Sequence, residues 1–197
     1  MQIRALRPED DRLGFCSGFP EYDLFLLRYA GQNQFRYSIG VTYVAIEDEH
    51  VLGYATVAAG SIQADDLSGG LRSRIPRYPL PIFRLARLAV DQRVQHGGVG
   101  SALVRFVCTL ALDMKQSVGC VALLVDALAE RVSFCEALGF MRLEVVSGRS
   151  ECRPQPVPML LPAQDTEAAV GGLVHRVDVT GLPLPVGQEA GFAQPAW

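Results

Sequence analysis

Between Phe83 and Ser101 the chain reads FRLARLAVDQRVQHGGVGS. An apolar, strand-like run reaches Asp91 and breaks there. It passes through Gly97, Gly98 and Gly100 into an apolar helical stretch, Ala102 to Leu112. A strand that feeds glycines into the start of a helix narrows the fold to a unit with both helix and sheet. It also creates an anion site. Glycines let the backbone come close, and the N–H groups that open a helix point at a phosphate. The helix dipole adds roughly 0.3–1 kcal/mol at an exposed site.

The remaining segments fill out a sheet with helices. Ile3 to Leu6 suits a short first strand. Glu21 to Gln34 predicts a helix with Tyr22, Phe25, Leu26 and Tyr29 on one face, at the i, i+3, i+4, i+7 spacing. Val41 to Ile46 and Val51 to Ala59 read as strands joined by a hairpin connection, Glu47 to His50. Asp65 to Pro81 is polar and then proline-rich, with a short helix expected at Leu67 to Arg74. Then follow strand 82–90, helix 98–116, strand 119–126, helix 129–138, strand 140–146 and a last strand from Val157 to Leu161. Two strands separated by a long helix imply a parallel pair joined by a crossover. The hairpins before them make the sheet mixed and mostly antiparallel. The expected class is α/β or α+β, with helices on both faces. Residues 1–162 are expected to form one domain. Residues 163–197, rich in Gly and Pro, are expected to be a C-terminal extension: a disordered appendage, an added edge strand, or a dimer or partner contact.

Composition excludes several classes. At 197 residues, 49% hydrophobic and 20% charged, the chain suits a single globular domain with a real core. No apolar run reaches the roughly 18 residues of a membrane helix. The N-terminus, MQIRALRPEDD, has no apolar signal region. The five cysteines are odd in number and lack metal-ligand spacing, so a reduced, cytoplasmic, metal-free protein is expected. The net charge of −3 argues against a generic nucleic-acid binder. Its distribution points the other way. Arg72, Arg74, Arg77, Arg84, Arg87, Arg93 and Arg105 fall in one window with a single acid, Asp91. Such asymmetry suggests a polyanionic partner at one face, cofactor phosphates, or solvated loop charges.

The glycine loop, Gln95-His96-Gly97-Gly98-Val99-Gly100, resembles the Q/R-x-x-G-x-G/A acetyl-CoA pattern of the GNAT N-acetyltransferase superfamily. Phe134-Cys135-Glu136-Ala137-Leu138-Gly139-Phe140 resembles the F-Y-x-x-x-G-F segment of the same family, with Cys in place of Tyr. R-L-A-V-D before the loop, V-D-A after it and G-Y-A at Gly53 resemble the toxin branch, which acetylates the amino group of aminoacyl-tRNA. The similarity spans roughly residues 5 to 162.

The resemblance implies a GNAT fold whose sheet splays at the central parallel pair, and acetyl-CoA as cosubstrate. Backbone groups of Leu88, Ala89 and Val90 would hold the pantetheine arm, with Leu88 in an oxyanion-type role. Gln95, His96, Gly97, Gly98, Val99, Gly100 and Ser101 would hold the pyrophosphate. Relatives often carry a cation where Gly97 stands, so Arg93 or His96 would have to compensate. Cys135 stands where the toxin branch has the tyrosine taken to protonate the departing thiolate; Ser133 or Tyr54 are other proton sources. Arg72, Arg74, Arg77, Arg84, Arg87 and Arg93 would face charged tRNA. An antitoxin and a homodimer are the implied protein partners. Two other readings stay open: a GNAT enzyme for a small-molecule amine or a protein N-terminus, and a weakly active acyl-CoA-binding homologue suggested by Cys135.

Overall fold

The computed structural model describes residues 1–63, 78–143 and 156–167. The helix expected at Leu67 to Arg74, the strand expected beyond Leu143 and the extension from residue 168 onward lie outside them. The described elements are β1 (Gln2–Ala5), α1 (Pro20–Leu24), β2 (Val41–Glu47), β3 (His50–Ile62), β4 (Leu80–Val90), α2 (Val99–Ser117), β5 (Ala122–Ala127), α3 (Val132–Ala137), β6 (Met141–Arg142) and β7 (Val157–Pro162). The strands form one sheet in the order β1-β2-β3-β4-β5-β7-β6. Among the described strands only β4 and β5 run parallel; the other described pairs are antiparallel. This is the expected mixed sheet. The β2–β3 hairpin turns on Asp48 and Glu49, both with positive φ, closing the Glu47↔His50 pair. Two left-handed residues in a two-residue loop match the right-handed twist of the strands.

Helices cover both faces. On one, α2 and α3 lay Leu103, Val107, Val132 and Cys135 against Leu88, Val90, Leu123 and Val125 of the sheet. Full burial of such a Leu or Val side chain stabilises by roughly 1.5–3 kcal/mol. Gly53 on β3 makes the close approach possible. A Cβ there would lie 3.0 Å from the Ala89 carbonyl and 3.1 Å from both Leu103 and Val99. On the other face, Tyr22, Phe25, Leu26 and Ala30 pack on Val44, Tyr54 and Ala89.

The second face corrects one expectation. The helix begins at Pro20, whose fixed φ favours the first helical position. It then runs on through two π-helical segments, Phe25–Tyr29 and Gln32–Arg36. Each π turn holds more residues than an α turn, so the buried stripe moves along the sequence. Ala30 takes the buried place after Leu26, and Tyr29 is turned outward.

A candidate acetyl-CoA site at the splayed strands

Strand β4 carries a defect that opens the sheet. Thr56 of β3 pairs with Arg87, and its neighbour Val57 pairs with Leu85, which leaves Ala86 as an extra residue. Such a bulge bends the strand and increases its twist. The parallel ladder to β5 ends at the same point, with Leu85↔Val125. Beyond it β4 continues to Val90 beside β3, while β5 continues beside β7 to Ala127. Leu88, Ala89 and Val90 therefore line the opening. All three side chains are buried, Leu88 and Val90 towards α2 and Ala89 towards the α1 face. Their packing leaves only the backbone edge of β4 facing the opening.

The loop after β4 turns on a buried carboxylate. Asp91 accepts from Arg93 Nε at 2.8 Å, Arg93 Nη2 at 2.8 Å, the Arg93 backbone N–H at 2.9 Å and the Cys16 N–H at 3.1 Å. Burial alone would raise the Asp91 carboxyl. The donors from Arg93 and Cys16 outweigh it and hold the group below the usual carboxylate range. Gln95 Nε2 donates at 3.0 Å to the Val90 carbonyl and at 3.0 Å to the Ser17 carbonyl. The Val90 carbonyl expected to meet the pantetheine arm is thus bonded within the chain.

Three residues after Gln95, Gly98 adopts φ +85 and caps α2. A Cβ there would meet nothing within 4 Å, so open space lies in front of the helix. The first turn, Val99-Gly100-Ser101, carries no acid. Its N–H groups have no intrahelical acceptor. The Gly97 N–H, by contrast, is bonded to the Val94 carbonyl at 3.2 Å. Ser101 Oγ is buried without a hydrogen-bond partner among the described residues. Unpaired donors, open space, a left-handed glycine and an orphaned hydroxyl fit a bound pyrophosphate at Gly98–Ser101. His96, exposed and also at positive φ, shapes the turn.

The arginines expected at a tRNA face divide. Arg84 is ion-paired with Asp126 on the neighbouring strand. Arg87 lies 3.9 Å from the centre of the Phe25 ring. Arg93 is forked onto Asp91 and also reaches the Gly14 carbonyl at 3.1 Å, so it braces the loop. Arg72, Arg74 and Arg77 fall outside the described residues. Cys135 sits in α3 at 4% exposure, within the cluster that includes Leu88 and Val90. Burial, with a smaller push from Glu136, raises its thiol to about 11. The Tyr54 hydroxyl is committed to the Tyr22 carbonyl at 3.0 Å, which removes it as a ready proton source. Among the described residues no group of His, Cys, Asp or Glu is arranged to hold a metal.

The acetyltransferase (GNAT) domain family matches residues 38–142, which hold β4, the glycine loop and α2. The chain belongs to the GNAT acetyltransferases. It is also 32% identical over 169 residues to a tRNA-acetylating toxin of Mycobacterium tuberculosis, covering 85% of this chain and 95% of that protein. Among solved structures it resembles AtaT in complex with acetyl-methionyl-tRNAfMet, with a TM-score of 0.73 and 25% identity over 85% of this chain and 97% of that one. A Tyr-to-Phe variant of KacT gives a TM-score of 0.70 at 25% identity, covering 85% and 99%. Acetyl-CoA is the cosubstrate of this GNAT site, and the pyrophosphate fit at Gly98–Ser101 agrees with it. Two features of the site lay beyond the sequence reading. One is the Ala86 bulge that starts the splay; the other is the pair of loops, 14–18 and 91–95, tied together through Asp91 and Gln95. No local pattern signals either, because both depend on strand register or on partners more than 70 residues apart.

Proposed function

We propose that this GNAT enzyme transfers acetyl from acetyl-CoA to the α-amino group of aminoacyl-tRNA in the cytoplasm, and that a cognate antitoxin restrains it. The observation that carries this reading is the identity to a tRNA-acetylating toxin, which covers 85% of this chain and 95% of that protein. Structures of AtaT with its antitoxin AtaR support the expectation of a protein partner.

The cosubstrate supplies an acetyl group activated as a thioester. Gly98 to Ser101 hold its pyrophosphate, and the edge of β4 at Leu88 and Ala89 orients the thioester. The amine nitrogen forms the new bond to the acetyl carbon as the carbon–sulfur bond breaks; its proton passes to solvent. No base is needed, because α-amino groups titrate at about 7.7–8.0 and are substantially neutral near pH 8. Cys135 holds its proton at neutral pH and is a poor donor. Positioning by the loop and strand then carries most of the rate.

A second reading, a small amine or protein N-terminus as acceptor, is favoured by the internal ion pairs of Arg84 and Arg93. The experiment that separates them offers labelled acetyl-CoA and a pool of charged tRNAs to the purified protein, beside deacylated tRNA and free amino acids. Label on charged tRNA alone supports the toxin reading. Label on free amines alone moves the acceptor to the second. Acetyl-CoA binding with no transfer would leave a non-catalytic acyl-CoA-binding protein.

A further inference from the structure

The helical arm from Pro20 to Arg36 buries one face and leaves an unusual surface on the other. Tyr29, Phe35 and Tyr37 are each about half exposed. Their exposure follows from the two π turns, which move the buried stripe away from them. Exposed aromatics gathered on one element mark a contact surface more often than a chance arrangement.

The chemistry of the patch narrows the partner. Arg36 lies with its guanidinium carbon 5.2 Å from the centre of the Tyr37 ring. Arg12 and Phe35 converge over Gly31; a Cβ at that glycine would lie 3.0 Å from Arg12 Nη1 and 3.6 Å from the Phe35 ring. Two guanidinium groups thus stand beside two aromatic rings. Arg28 is exposed on the same run, and no Asp or Glu occurs between Leu24 and Ile46. Ring and guanidinium planes stack unpaired bases, and arginine forks pair with phosphates. The arm also begins beside the reaction site. The Tyr22 carbonyl accepts from Tyr54, and Tyr54 is paired in register with Ala89 at the splay.

We propose that the acid-free part of the arm, Arg28 to Tyr37, binds the unpaired 3′ end of an RNA, with Phe35 and Tyr37 stacking bases and Arg12 and Arg36 contacting phosphates. The proposal rests on the aminoacyl-tRNA reading. In such a substrate the reactive amine hangs on the end of a single strand. The nucleotides just behind it must leave the site across adjoining surface.

The test uses the full chain and two fluorescent RNA probes, followed by anisotropy: a short unstructured RNA and a blunt-ended hairpin. The double variant Phe35→Ala/Tyr37→Ala should bind the unstructured RNA about tenfold more weakly or worse, with little change for the hairpin. Arg36→Ala should lower the slope of log affinity against log salt by about 0.7 for a single strand. Acetyl-CoA affinity and melting temperature of the variants should match the parent, which separates lost contact from lost fold. Equal affinity of parent and double variant for the unstructured RNA overturns the proposal. So does a double variant that keeps RNA binding but changes from dimer to monomer in sedimentation, which would assign the arm to a protein contact. Transfer of acetyl to charged tRNA by the parent is a separate readout. Its failure would count against the acceptor reading, whereas unchanged RNA binding in the variants counts against the arm alone.

Discussion

Gln95 reaches back across the loop to Val90, its Nε2 donating to the Val90 carbonyl at 3.0 Å while the same nitrogen reaches the Ser17 carbonyl at 3.0 Å. One amide thus joins the end of the splayed strand, the glycine loop and the segment that leads into α1. Gln95→Ala frees two carbonyls that then need water. The expected cost is about 1–2 kcal/mol, or a few degrees in Tm for a chain of this size. The loop would lose its position, so KM for acetyl-CoA should rise. Gln95→Glu should be worse, because a carboxylate places negative charge against two carbonyl oxygens. Calorimetry and initial rates check both variants. A parent-like Tm and KM in each would show that the amide does not hold the loop.

Gly98 caps α2 at φ +85 with nothing near its missing Cβ. Any effect of Gly98→Ala is therefore conformational and not a clash. A left-handed non-glycine residue costs roughly 1–2 kcal/mol. Relief of that strain would turn the first N–H groups of α2 away from the anion. Acetyl-CoA should bind about tenfold more weakly by calorimetric titration. Gly119, just after the same helix, has φ +103 and equally open surroundings. Gly119→Ala should lose comparable stability and keep its acetyl-CoA affinity. Equal loss of affinity in both variants would count against an anion site at Gly98.

Much of this site was legible because its signals are local. The apolar run to Val90, the glycines and the apolar helix predict strand, loop and α2 almost to the residue, since periodicity and glycine chemistry act over a few positions. The buried face of the arm was legible only as far as Leu26. The 3.6-residue rule places Tyr29 inside, and the π turn replaces it with Ala30. The arginines were legible only as charges, not as partners. Arg84 counts as a free charge until the fold brings Asp126, 42 residues away, onto the adjoining strand. The Ala86 bulge leaves no mark in composition, because it is set by the register of β4 against β3.

Asp91 makes the loop sensitive to acid. Its carboxyl is held below the usual range by the Arg93 and Cys16 donors, against the upward push of burial. A carboxyl depressed in the folded state stabilises above its unfolded value, about 3.9. That stability is lost as pH falls through the lower folded value. Asp91→Asn removes the charge that holds Arg93 and should cost about 1–3 kcal/mol at pH 7. The gap in Tm between parent and variant should begin to narrow as pH drops below about 3.9, where the unfolded carboxyl takes up a proton, and should close as pH passes the lower value of the folded parent. Thermal melts between pH 3 and 7 test this. A gap that stays constant over that range would show that the charge of Asp91 contributes nothing.

The sequence resemblance puts Cys135 in the place of the toxin branch's tyrosine, and the burial of Cys135 works against the proton donation that such a place implies. The thiol is pushed up to about 11. An ordinary thiol titrates near 8.5, so passing a proton from Cys135 to a departing thiolate is uphill by roughly several hundred-fold. Loss of an effective general acid costs about 10²–10⁴ in rate. Cys135→Ala should instead change kcat by less than about threefold. The rate of parent and variant alike should rise as the acceptor amine loses its proton near pH 7.7–8.0, with no falling limb below about pH 11. Cys135→Tyr forces a ring into the apolar cluster that holds Val132 and Phe140, and overpacking of this kind costs about 1–3 kcal/mol. That variant should melt lower without gaining turnover. A hundredfold loss in Cys135→Ala, or a gain in Cys135→Tyr, would instead put a proton donor at this position of α3.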